Sequence, residues 1–189
     1  SMADKQAILA AAVPDLVNRL VTPNCVDDDG VPNGQVVDAA GDCAEGFKPE
    51  FPPIRNINVG IISSSLGDLT AGSCGSVANP NDKAHLLDRG GAGTVPTYQN
   101  KGFLAWDPDN KRGGTTEAGD TGVPGTLIGD FGDMVVGVGQ VGCGYEMQLE
   151  SILRFLVDPD PYESLTGGSG NVSENGTDQL ILQQRSDFL

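Results

Sequence analysis

The sequence predicts an α/β domain, and three observations carry that prediction. Apolar residues recur at spacings of three and four over 5–20, 126–138 and 144–157, the period of helices with one buried face. Between them, 55–65 alternates: Ile57, Val59 and Ile61 fall on one side of a strand, and Ile62 adds burial on the other side near its end. Finally, Gly137-Val138-Gly139-Gln140-Val141-Gly142-Cys143-Gly144-Tyr145-Glu146 reads as a helix ending in glycines, a tight loop and the start of a second helix.

The first helix spans 5–20, with Ile8, Leu9, Ala12, Val13, Leu16, Val17 and Leu20 as its stripe and Ser1 or Asp4 as its cap. Pro14 removes a backbone donor inside it and predicts a kink or restart. Residues 23–53 lose all periodicity and read as a long irregular insertion. After the strand at 55–65, Ser63-Ser64-Ser65-Leu66-Gly67 leaves the sheet, and 66–100 is a second irregular insertion. Residues 102–107 predict a short edge strand, stopped by Pro108-Asp109-Asn110. In the helix at 126–138, Leu127, Ile128, Phe131, Met134, Val135 and Val138 face inward. In the helix at 144–157, Leu149, Ile152, Leu153 and Leu156 do so. Residues 163–176 are polar and glycine-rich and read as a mobile loop, after which Thr177 caps a last helix over 178–188. Two strands do not cover this many helical stripes. The 189 residues therefore read as one domain, or a segment of one, whose sheet is incomplete within the chain.

Composition narrows the function. A net charge of −15 repels phosphate backbones and anionic membrane surfaces, arguing against nucleic acid and lipid as partners. No apolar run approaches the length of a membrane span, and no stretch reads as a secretory leader. With aromatics at 5%, the core must come from Ile, Leu, Val and Ala.

The element order and the joint at Gly142-Cys143-Gly144 resemble a von Willebrand factor A-type domain, and within that class large uncharacterised bacterial envelope proteins. The opening Ser1-Met2-Ala3-Asp4-Lys5-Gln6-Ala7-Ile8-Leu9 is similar to the end of that family's Asp-x-Ser-x-Ser motif running into its first helix; alternatively, Ser1-Met2 is a cloning remnant. The resemblance implies a Rossmann-like sheet flanked by helices, with the strands at 55–65 and 102–107 adjacent and the second antiparallel at the edge. It also implies a divalent cation, Ca²⁺ or Mg²⁺, held by the motif serines, a loop threonine and a later aspartate. The chain departs from that ligand set. The motif aspartate and first serine would precede Ser1, the later aspartate would follow Leu189, and the threonine position falls on Cys143, a poor ligand for a hard cation. Ser1 is the one ligand of the set that the chain offers.

Cys25 and Cys43 bracket one aperiodic loop and form the natural disulfide, which implies an oxidising, extracytoplasmic compartment. Cys74 and Cys143 are the candidate second pair; otherwise Cys143 pairs beyond the chain end. Zinc is disfavoured, because the cysteines lack close spacing and His85 is the single histidine. Asp27-Asp28-Asp29-Gly30 does not fit a calcium loop and reads as a solvated acidic turn.

These readings converge on a noncatalytic extracytoplasmic module that binds a protein partner, or copies of itself, through Ser1, Ser63, Ser64, Ser65, Gly142, Gly144 and Tyr145. A structural subunit assembling by strand sharing is the alternative. A thiol hydrolase using Cys143 or Cys74 with His85 is the third reading.

Overall fold

The computed structural model describes residues 3–67, 81–109, 111–112, 127–140, 146–168 and 171–189. Four helices are described: α1 (Ala3–Val21), α2 (Leu127–Gly137), α3 (Gln148–Leu156) and α4 (Gln179–Phe188). Seven short strands accompany them: β1 (Asn24–Val26), β2 (Pro32–Val36), β3 (Lys48–Pro49), β4 (Ile57–Gly60), β5 (Phe103–Trp106), β6 (Tyr162–Gly168) and β7 (Asn171–Thr177).

The centre is the antiparallel pair β4–β5, in register from Ile57 opposite Trp106 to Gly60 opposite Phe103. Successive side chains of a strand point to opposite faces, and β5 uses both. Leu104 and Trp106 pack with Val13, Val17 and Val21 of α1 and Leu127, Ile128, Met134 and Val135 of α2. Phe103 and Ala105 pack with Phe155 of α3, Ile181 and Phe188 of α4, Leu66, Leu86 and Tyr98. Helices thus cover both faces of a two-stranded ribbon. The mixed α/β class and the antiparallel pairing of these two strands match expectation; among the described residues no larger sheet joins β4 and β5.

The first insertion and the tract expected to be a mobile loop have more order than their sequences suggest. In 23–53, β2, β1 and β3 form a small antiparallel sheet, closed by the Cys25–Cys43 disulfide with a Cα–Cα distance of 5.7 Å. Asp27 organises the β1–β2 turn: its carboxylate accepts the amides of Asp29 and Val31 at 3.0 and 2.8 Å, and Gly30 supplies the left-handed φ of 81°. The tract 163–176, expected to be an irregular loop, is the β6–β7 hairpin. Apart from the partly buried Tyr162, Leu165 and Thr177, its described side chains are exposed, so no apolar alternation advertised it.

Four expectations are corrected. The helix α1 runs through Pro14 without a break and buries Val13, Val17 and Val21, leaving Ile8, Leu9 and Leu16 exposed. Paired strand structure in 55–65 is confined to Ile57–Gly60. The cap of α4 is Asp178, whose carboxylate accepts the Ile181 amide at 3.2 Å; Thr177 instead donates to Asp160. Most consequential, α3 is turned inside out. Leu149, Ile152, Leu153 and Leu156 face solvent, while Ser151, Arg154 and Phe155 are buried. The reason is the anchoring of Arg154. Its guanidinium donates to the carbonyls of Lys83 (2.9 Å) and Tyr162 (2.6 Å) and to Asp178 (3.1 Å), and it stacks 4.0 Å from the centre of the Tyr162 ring.

Gly137 ends α2 for a steric reason: a Cβ there would lie 2.1 Å from the Arg89 carbonyl oxygen, which crosses the helix end.

Replacing Cys25 and Cys43 by serine is expected to lower the unfolding free energy by about 3 kcal/mol, read by urea denaturation, since the disulfide closes a loop across a sequence separation of 18. Phe103→Ala is expected to cost about 3–5 kcal/mol in the same assay. Phe103 is almost fully buried and meets Phe188 edge-on at 5.5 Å between ring centres.

Candidate functional site

The chain leaves β4 through 61–67, and this segment is fastened at two points. Ser63 is buried, donates its hydroxyl to Asp82 and accepts the Ser65 amide at 3.1 Å. Asp82 in turn accepts two parallel hydrogen bonds from Arg89, at 2.7 and 2.8 Å. The rest of that guanidinium donates to the carbonyls of Gly137 (2.9 Å) and Val138 (3.3 Å) at the end of α2, where a cation also answers the helix dipole. A relay of Ser63, Asp82 and Arg89 therefore ties the exit of β4 to the end of α2.

The second fastening is Ser64. Its hydroxyl donates to the Glu146 carboxylate, and its carbonyl accepts the Met147 amide at 3.2 Å. On the far side of the same joint, Gln6 near the start of α1 donates to the Gly139 carbonyl at 2.8 Å. Three segments singled out in the sequence thus meet at one edge: the beginning of α1, the serine run after β4, and the stretch between α2 and α3. Ser63, Ser64 and Ser65 lie there. Ser1, Gly142, Gly144 and Tyr145 fall outside the described residues, as do Cys74 and Cys143.

At this edge the Asp82 carboxylate is matched by the Arg89 guanidinium, while the Glu146 carboxylate meets the Ser64 hydroxyl. Burial pushes the Asp82 carboxyl upward, but the hydrogen bonds from Arg89 and Ser63 and the nearby positive charge outweigh it, holding Asp82 below the usual carboxylate range. The described residues of this edge do not fit a divalent cation. Asp82, the carboxylate beside Ser63, is spent on Arg89, and no group of three acidic, histidine or cysteine side chains is gathered among the described residues.

His85 belongs to a different cluster. Its Nε2 lies 2.8 Å from the Asp178 carboxylate, the same oxygen that Arg154 reaches. Asp178 is buried, which raises its carboxyl, yet the His85 hydrogen bond, the Ile181 amide and the nearby Arg154 guanidinium hold it low. Among the described residues, His85 is paired with a carboxylate that caps a helix. Sequence reasoning missed Asp82, Arg89, Arg154 and Asp178. The available signal was the rarity of arginine in so acidic a chain: a scarce guanidinium is apt to be committed to an internal carboxylate.

A separate open cleft of about 340 Å³ is lined by Ile54, Arg55, Asn56, Asp107, Lys111 and Arg112. Hydrogen bonds from Arg55 and then Lys111 hold the neighbouring Asp109 down to about 2.

Because the Asp82 pKa is depressed in the folded state, its stabilisation is complete above about pH 5 and is lost as pH falls through the folded value. Asp82→Asn is expected to destabilise the protein by about 1–3 kcal/mol at neutral pH, by weakening charge-assisted bonds to Arg89. It is also expected to flatten the acid limb of stability against pH; an unchanged limb in denaturation curves between pH 2 and 7 would contradict the relay.

No protein-family model, curated protein or solved structure matches the chain.

Proposed function

We propose that the protein is a noncatalytic binding or assembly module of the extracytoplasmic space, with a von Willebrand factor A-type fold. It engages a protein partner through the edge built from Ser63–Gly67 and the joint between α2 and α3. The observation that carries this reading is the stitching of that edge: Ser64 to Glu146 and Met147, and Gln6 to Gly139. Residues far apart in sequence are held together at one end of a helix-covered strand pair, where loops form a recognition surface on a rigid scaffold. The Cys25–Cys43 disulfide favours an oxidising compartment. Among the described residues no helix is long and apolar enough to cross a membrane. The noncatalytic reading is supported by the commitment of His85, Asp82 and Asp178 to internal hydrogen bonds.

Strand sharing is a second reading, favoured by one observation. Helices line both faces of β4–β5, yet the ribbon has two strands among the described residues, fewer than a helix-covered sheet usually holds, and a strand from another chain would extend it.

Replacing 139–146 by a Gly-Ser segment of equal length is expected to weaken capture of the binding partner from an envelope extract by about tenfold or more. Full retention would overturn the edge as the binding surface. For strand sharing the measurement is sedimentation equilibrium, where a strict monomer at micromolar concentration would reject it.

A further inference from the structure

The inverted helix α3 presents its apolar side to solvent. Leu149 (83% exposed), Ile152 and Leu153 (47% each) and Leu156 (43%) follow the spacing of one helical face, and Val157 (64%) adjoins them just past the helix end. At 100° per residue the four within the helix form an arc about 100° wide, the breadth of a face that packs on another helix. The helix is held in place from behind by Arg154 and Phe155, and Arg185 donates to the carbonyls of Arg154 (2.8 Å) and Phe155 at its C-terminal end. A contiguous apolar surface on a firmly seated helix marks an interaction site.

The charge around the arc selects the occupant. Glu150 lies at its margin, Asp158 and Asp160 follow the end of α3, and Glu150, Asp158 and Glu174 all act on Tyr162 behind it. Arg154 of α3 and Arg185, which bonds its C-terminal end, are turned inward onto backbone carbonyls, and Lys83 donates to the Glu163 carbonyl. A second copy would bring a further −15 and the same acidic rim against this face, so self-pairing is opposed by like charge. We propose that the outward face of α3 docks an amphipathic helix of a partner protein, with apolar anchors at helical spacing flanked by Lys or Arg. The proposal extends the binding-module reading to a second surface, independent of the loop edge.

The test uses the full chain and two labelled helical peptides, one patterned Leu/Lys and one with the same apolar spacing patterned Leu/Glu. Fluorescence anisotropy is expected to show salt-sensitive binding of the Leu/Lys peptide alone. Leu149→Gln with Leu153→Gln, which alters exposed side chains and keeps the acidic rim, is expected to weaken that binding about tenfold. Val31→Gln, at an exposed apolar position on the β1–β2 turn, is expected to leave it unchanged. Thermal melts establish that all variants are folded. The proposal is overturned by absence of binding, by equal binding of the Leu/Glu peptide, or by unchanged affinity in the double variant. Equal loss in Val31→Gln, or a dimer that the double variant dissolves, would also overturn it. Protein with 139–146 replaced is expected to keep peptide binding, so failure of the α3 site and failure of the loop edge are read separately.

Discussion

The two-sided burial of β5 is the constraint on which the rest of the molecule depends. Leu104 and Trp106 on one side and Phe103 and Ala105 on the other supply each helical layer with its floor. One four-residue strand therefore sits in both apolar clusters, and its register against β4 fixes which helix meets which face. A slip by one residue would exchange the two sets of side chains and dismantle both layers together. In a chain with few aromatics, the tilted and edge-on contacts of Phe103 with Tyr98 and Phe188 concentrate ring packing at this strand.

Around this floor, position is assigned by internally paired guanidinium groups as much as by apolar contact. Arg89 joins the exit of β4 to the end of α2, and Arg154 joins α3 to the segment at Lys83, to β6 and to the cap of α4. Each bridge has fixed donor geometry and so defines an orientation, which apolar packing alone leaves looser. The rotation of α3 is the clearest result: four apolar residues of the helix are given to solvent while Arg154 is turned inward onto two carbonyls and Asp178.

What was legible in the sequence follows from this division. The stripe of α2 was readable, because Leu127, Ile128, Met134 and Val135 meet a packed layer and obey its period. So was β5, and so was the Cys25–Cys43 pairing, which depends on proximity along an aperiodic loop. The facing of α3 was not, because periodicity identifies a helix and its apolar side without saying whether that side meets the same chain. The exposed β6–β7 hairpin and the two- to five-residue strands of the 23–53 sheet carry no alternation to detect. At the candidate edge, the serines and the joint were visible as composition. The Asp82–Arg89 relay was not, because it is a tertiary pairing with no local signature.

Asp178 gathers three duties on one carboxylate: capping α4, pairing with His85 and balancing Arg154, which is only 1% exposed. Loss of the carboxylate would strand a buried positive charge and unfasten a helix start in one step, while loss of the arginine would leave the buried acid with His85 and the Ile181 amide as partners. The consequence is energetic coupling. Positions 85, 154 and 178 share one carboxylate, so the stability effects of substitutions there do not add, and a double replacement costs something other than the sum of its parts.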